Sequence, residues 1–198
     1  MGQNKALLPL VPDGKSMLGL VIERIRTVAE DVMIIANDEG SYEHFGVRLV
    51  SDTFRGSGAL GGIHAAIGSA VNTHCLVVAC DMPFLSVSLL QRMAAEPRDY
   101  DVLAPVMPGE SQQQQGGFVY QTLHSIYGKG CLKAIETRLQ SGNRQVIGFF
   151  GDVSLKRLEI DELRKHDPEL RSFFNANTPD ALAAAIMYVK HGEPSAGS

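Results

Sequence analysis

Apolar positions in this chain fall into short unbroken runs separated by stretches with helical spacing. The run that carries a chemical ending is Cys75-Leu76-Val77-Val78-Ala79-Cys80, followed at once by Asp81-Met82-Pro83-Phe84. Six apolar residues without a polar break suit a strand buried on both faces, as in a parallel sheet covered by helices on either side. Ligands of such sheets bind beyond the carboxyl ends of the strands, and Asp81 stands at that end. Pro83 has no amide hydrogen, so it stops the ladder and turns the chain just after the carboxylate. A charge held there is costly unless a cation, most simply a metal ion, shares the site. Asp81 is therefore the candidate chemical centre.

The remaining pattern is read outward from that strand. A short apolar stretch, 6–11, precedes the turn Pro12-Asp13-Gly14. Ser16 then caps a helix that shows Met17, Val21, Ile25 and Val28 on one face. Residues 32–36 and 47–51 read as buried strands, ending in Asn37 and Asp52. The Gly-rich loop 56–62 leads into a predicted helix over 63–71, and Ser86 caps another through Leu89, Leu90 and Met93. Further strands are predicted over 101–105, 118–121, 146–150 and 155–160. A helix over 124–139 is expected to bury Tyr127, Cys131, Ile135 and Leu139, with Gly142 as its stop. Thr178-Pro179-Asp180 opens the last helix with a cap, a first-turn proline and an acid. The polar segment 108–115, with four glutamines in a row, reads as a mobile loop, and 193–198 as a disordered tail. Alternating strands and helices predict one α/β domain over 1–192, three-layered α/β/α around a mostly parallel, Rossmann-like sheet.

Composition narrows the function. The 198 residues are 44% hydrophobic and 20% charged, which is ordinary for a globular chain. A formal charge of -4 argues against general nucleic-acid binding, and apolar runs of strand length predict no membrane span. Cys75, Cys80 and Cys131 have apolar settings, which suggests buried, reduced thiols and a cytoplasmic location. The histidines show no metal-ligand spacing with them, so zinc is not expected.

Gly56-Ser57-Gly58-Ala59-Leu60-Gly61 fits the dinucleotide pattern G-x-G-x-x-G, and Asp81 lies at the spacing of a ribose-binding acid. Its context does not fit, because Asp52-Thr53-Phe54-Arg55 separate the first glycine from its strand. Asn37, Asp52 and Asp81 end successive predicted strands and could line one cleft. For Asn37 and Asp52, polar strand ends that merely meet solvent are an equal reading.

Several segments together resemble the molybdenum cofactor guanylyltransferase family. Met1-Gly2-Gln3-Asn4-Lys5-Ala6-Leu7-Leu8 is similar to its M-G-x-D-K-x-L-L, and Gly58 to Ile63 to its G-P-L-A-G-I. Cys80-Asp81-Met82-Pro83-Phe84 resembles its C-D-M-P-F. His124-Ser125-Ile126-Tyr127 with Cys131 is similar to P-L-H-A-x-Y…C, and Phe174-Asn175-Ala176-Asn177-Thr178-Pro179 to F-N-V-N-T-P. The resemblance implies a nucleotidyltransferase fold related to nucleotide-sugar pyrophosphorylases. It implies transfer of GMP from GTP to molybdopterin with release of pyrophosphate, and Mg²⁺ held by Asp81. By the same likeness, Lys5 contacts the nucleotide phosphates and Asn37 and Asp52 lie around the guanosine end. Gly61 and Gly62 form a backbone loop near the nucleotide, and Asn175 and Asn177 lie on the pterin side. For these two asparagines, simple turn chemistry before the last helix is an equal reading, and for His124 so is plain packing.

The family opens with a strand and a loop of type L-A-G-G-x-S-x-R ahead of M-G, whereas this chain starts at Met1. About a dozen or more residues are thus expected to be missing, including backbone amides that cradle a triphosphate and a strand in mid-sheet. Either the true start lies upstream or the phosphate grip has been lost. Asn4, Ala59 and Thr122 also depart from the family's Asp, Pro and Pro. The alternatives are a cytidylyltransferase on the same pterin, or a non-catalytic partner that binds the cofactor or a molybdoenzyme chaperone. A nicotinamide oxidoreductase is the third.

Overall fold

The structure, a computed structural model, describes residues 5–11, 14–38, 40–109 and 117–190. A 3-10 turn, Lys5–Leu7, leads to α1, Met17–Ile25. Ser16 caps α1 as its sequence predicts, its Oγ accepting from the Gly19 amide at 3.2 Å. Two three-residue strands follow, β1 (Met33–Ile35) and β2 (Arg48–Val50), paired in parallel with Met33 opposite Arg48. Helix α2, Gly58–Ser69, connects them to β3, His74–Val78.

Ser86 caps α3, Val87–Ala94, by accepting from the Leu89 amide. Then come β4 (Val102–Pro108), β5 (Phe118–Tyr120) and β6 (His124–Gly128). Helix α4 (Leu132–Gln140), β7 (Leu155–Leu158), α5 (Ile160–His166) and α6 (Pro179–Lys190) complete the described chain. The α6 cap is the expected one, with the Ala181 amide on Thr178 Oγ1 at 3.1 Å.

The strands form two sheets. One is β1-β2; the other runs β3-β6-β4-β5, with β7 also on β4. β7 is parallel to β4, whereas β3 with β6, β6 with β4, and β4 with β5 are antiparallel. Alternate residues of the central strands feed the two faces, as strand geometry demands. Val102, Ala104 and Tyr127 pack with Leu60, Ile63 and Ile67 of α2 and Ile135 of α4. Leu103 and Ile126 pack on the opposite side with Leu89 and Met93 of α3 and Leu163 of α5. This is the expected α/β/α layering, and each of these fully buried aliphatic side chains contributes roughly 1.5–3 kcal/mol.

Six expectations change. The α/β/α layering stands, but among the described residues the larger sheet is not mostly parallel: three of its four strand pairings are antiparallel, because β6 returns between β3 and β4 and β5 folds back on β4. Residues 124–128 are a strand, not the start of a helix: β6 lies between β3 and β4, so all five of its residues are buried, and the stripe Cys131, Ile135, Leu139 belongs to the 3-10 turn and α4 that follow. Gly128 and Gly130 break the chain between the two. The strand expected at 146–150 is a 3-10 helix, Val146–Asp152, folded so that Phe149 and Phe150 reach the core under α4. Helix α2 begins at Gly58, so Gly61 and Gly62 lie in its first turns and not in a loop. Cys80 is exposed, because β3 ends two residues before it. All five residues of β3 are only half-buried, because β3 stands at the edge of its sheet. The proposed mobile loop and tail fall mainly on 110–116 and 191–198, outside the described residues.

Candidate functional site

Two polar groups form where the strands end. In the first, Asn37 and Asp52 follow β1 and β2 directly. Asn37 Oδ1 accepts from the Asp52 amide at 3.0 Å, and Asp52 Oδ1 accepts from the Phe54 amide at 2.8 Å. The carboxylate is buried, and it lies against the first turns of α2. A Cβ placed on Gly61 would stand 2.6 Å from Asp52 Oδ2, whereas one on Gly62 would meet nothing within 4 Å. No side chain of α2 caps its start and no acid lies in its first turn, so the Asp52 carboxylate supplies the negative charge that a helix N-terminus favours. Asn37, Asp52 and Gly61 are thus one packed unit, with Gly62 open beside it.

The second group surrounds Asp81, in the turn after β3. Its Oδ1 is buried without a hydrogen-bond partner, and desolvation pushes the carboxyl above its ordinary range, opposed by a backbone hydrogen bond. An unpartnered buried carboxylate oxygen is costly, and a divalent cation is the kind of group that would satisfy it. Asp81's carbonyl accepts from the Ala176 amide at 2.9 Å, which brings the segment of Asn175 and Asn177 alongside. Both asparagines are exposed. Phe84 and Phe174 lock the two turns together, ring centroids 5.6 Å apart.

Lys5 opens the 3-10 turn, but its side chain lies outside the described residues. The chain just after it joins the two groups' surroundings. Ala6 packs with Leu18, Ile22 and Ile34 on the β1 side, and Leu10 packs with Ala176 and Phe84 on the Asp81 side.

Some positioning residues had no local signal. Ser86 donates through its amide to Ser172 Oγ at 2.8 Å and through its hydroxyl to the His166 carbonyl at 2.7 Å. Asp167 accepts from the amides of Arg171 and Ser172. This network fixes the chain leading into Asn175 against the start of α3, over separations of 80 and 86 residues that local pattern cannot register. His124 is fully buried beside Phe173, so it is packed in the core and is not a cleft residue. Among the described residues no group of three or more His, Cys, Asp and Glu gathers to hold a metal. Any ion on Asp81 would need further oxygens, which a triphosphate offers.

A three-layer α/β fold with an acid, amides and helix-start glycines collected at strand ends defines a nucleotidyltransferase-type protein. The family model described as the MobA-like NTP transferase domain matches residues 1–157, and the chain belongs to that family. It is 36% identical over 188 residues to a protein of Pelotomaculum thermopropionicum named probable molybdenum cofactor guanylyltransferase, covering 94% of this chain and 86% of that protein. It is 31% identical to the molybdenum cofactor guanylyltransferase of Desulfosudis oleivorans, covering 98% and 91%. The molybdopterin-guanine dinucleotide biosynthesis protein A of Archaeoglobus fulgidus superimposes with a TM-score of 0.77 at 25% identity, over 96% of this chain and 93% of that one. No described helix is long and apolar enough to cross a membrane.

Proposed function

We propose that this chain transfers GMP from GTP to the terminal phosphate of molybdopterin, with Mg²⁺ as its cofactor. The names of its relatives support the substrates, and the orphaned Asp81 Oδ1 supports the metal. Asp81 would hold the ion, which when bound neutralises phosphate charge. A pterin phosphate oxygen bonds to the α-phosphorus of GTP while the bond from that phosphorus to the bridging oxygen breaks, and pyrophosphate leaves. A phosphate monoester is already ionised near neutral pH, so no protein base is needed. The protein's task is positioning and charge neutralisation. Lys5 would meet the phosphates. The Asn37–Asp52 unit, with the open backbone at Gly62, would receive the nucleoside end, and Asn175 and Asn177 the pterin side. The reading puts the chain in the cytoplasm, with a molybdoenzyme or its chaperone taking the product.

Calorimetry with GTP and CTP, with and without Mg²⁺, tests this. The expected result is GTP binding that requires Mg²⁺, no comparable CTP binding, and loss of Mg²⁺-dependent turnover in Asp81→Asn. Removing an unpartnered buried charge should also make Asp81→Asn more stable than the parent when Mg²⁺ is absent. Undiminished turnover in that variant overturns the assignment of Asp81. Equal preference for CTP overturns the guanine assignment.

A further inference from the structure

The carboxyl edge of the strands carries a third group, which the reaction above leaves unused. Asn37 and Asp52 stand beyond β1 and β2, and Asp81 stands beyond β3. Both β3 and β4 run antiparallel to β6, so β4 ends on the same side as Asp81, and β7, parallel to β4, ends there too. At that end Phe118 opens β5 opposite Pro108, the last residue of β4. Phe118 is 40% exposed, and it is the only exposed phenylalanine or tyrosine among the described residues. The Arg157 guanidinium, carried by β7, lies 5.4 Å from its ring centroid. Glu159 holds Arg157 through Nε at 3.2 Å, and among the described residues its two terminal nitrogens have no hydrogen-bond or ion partner. Met107, beside Pro108, packs in one cluster with Phe173, two residues before Asn175. The ring, the guanidinium and the exposed asparagines therefore lie together on the side of Asp81 away from the Asn37–Asp52 unit.

We propose that Phe118 and Arg157 form a shelf on which the fused ring of the acceptor substrate stacks. The proposal rests on the pterin assigned above as acceptor. An exposed aromatic ring is unfavourable in water, and a cation–π pair at the surface adds little to the fold. The same pair suits a flat heteroaromatic ligand. The phenyl ring offers a face for offset stacking, and the free guanidinium N–H groups donate to ring carbonyl and nitrogen acceptors. Only β6 separates β3 from β4, so two strand spacings, about 10 Å, lie between the strand behind Asp81 and the strand behind the shelf. A fused-ring acceptor with a phosphate at one end spans that gap, which sets the phosphate near Asp81 when the ring is on Phe118. Guanine is the poorer occupant, because the unit that receives the nucleoside lies on the opposite side of Asp81.

Neopterin, a fluorescent pterin, is the probe, titrated into the protein without nucleotide. The parent should quench it saturably. Phe118→Ala should weaken binding about tenfold or more, and Phe118→Tyr should keep the parent value. Arg157→Lys, which keeps the charge but loses the planar donors, should weaken it several-fold. GTP affinity by calorimetry should change less than about twofold in all three variants. In turnover, Phe118→Ala should raise KM for molybdopterin about tenfold with little change in kcat, the mark of lost ground-state binding. Equal quenching by parent and Phe118→Ala, no quenching by the parent, or a parallel loss of GTP affinity would each overturn the shelf. Quenching that requires Phe118 in a protein that neither binds GTP nor turns over would instead refute the reaction and leave the shelf in place.

Discussion

Gly61 and Gly62 are neighbours in one helix, yet alanine at the two sites should act in opposite directions. In a helix interior, Gly→Ala stabilises by roughly 0.5–1 kcal/mol through backbone entropy. At Gly62 nothing opposes this, because a new Cβ meets no atom within 4 Å, so Gly62→Ala should raise stability by about that amount. At Gly61 the new Cβ would stand 2.6 Å from Asp52 Oδ2 and 3.0 Å from Oδ1. The carboxylate is buried and tied to the Phe54 amide, so it cannot swing aside freely. Relieving the clash means overpacking, at about 1–3 kcal/mol, or breaking the Asp52–Phe54 bond, at about 1–2 kcal/mol. Either exceeds the entropic gain, and Gly61→Ala should lose roughly 1–2 kcal/mol net. Urea unfolding of both variants gives the measurement, with m-values checked for constancy. Asp52→Gly combined with Gly61→Ala should recover the clash term, so the double variant should be more stable than the two single losses predict. Shifts of the same sign at both glycines, or strict additivity in the double variant, would refute the packed Asp52–α2 unit.

Three further outcomes follow from the core. His124 is fully buried, and that burial pushes its ring down to about 4 against 6.5 in the unfolded chain, opposed by the Ser172 backbone and Asp167. Between those values the unfolded chain binds the extra proton, so this contribution is complete above about pH 6.5 and is lost as pH falls toward 4. From pH 7.5 to 5 it should cost about 2 kcal/mol, read as the difference in unfolding free energy between the parent and His124→Leu, whose pH slope should be flatter. Tyr127→Phe deletes a hydroxyl that donates to the Thr122 carbonyl at 2.7 Å in a fully buried setting, and should lower stability by about 1–2 kcal/mol without affecting GTP binding. Ser172→Ala removes the acceptor of the Ser86 amide, and should cost about 1–2 kcal/mol in thermal unfolding while loosening the Asn175 segment in hydrogen exchange.

The sequence by itself determined the elements whose signals are local. The caps at Ser16, Ser86 and Thr178 are side chains bonding to amides three residues on, so the start of each helix is written in a four-residue window. Asp81 could be singled out because an apolar run, a carboxylate and a proline are adjacent in the chain. Only the tertiary structure decided the rest. Residues 124–128 became a strand because neighbours on both sides and layers on both faces cover them, and the same residues would satisfy a helical stripe if read alone. The 3-10 path of Val146–Asp152 exists to seat Phe149 and Phe150 under α4. Asp52 turned out to be a buried partner of Gly61, a contact between side chain and backbone that spacing cannot reveal. The half-burial of β3 likewise reflects which strand stands beside it, a property of assembled sheets that no run of residues encodes.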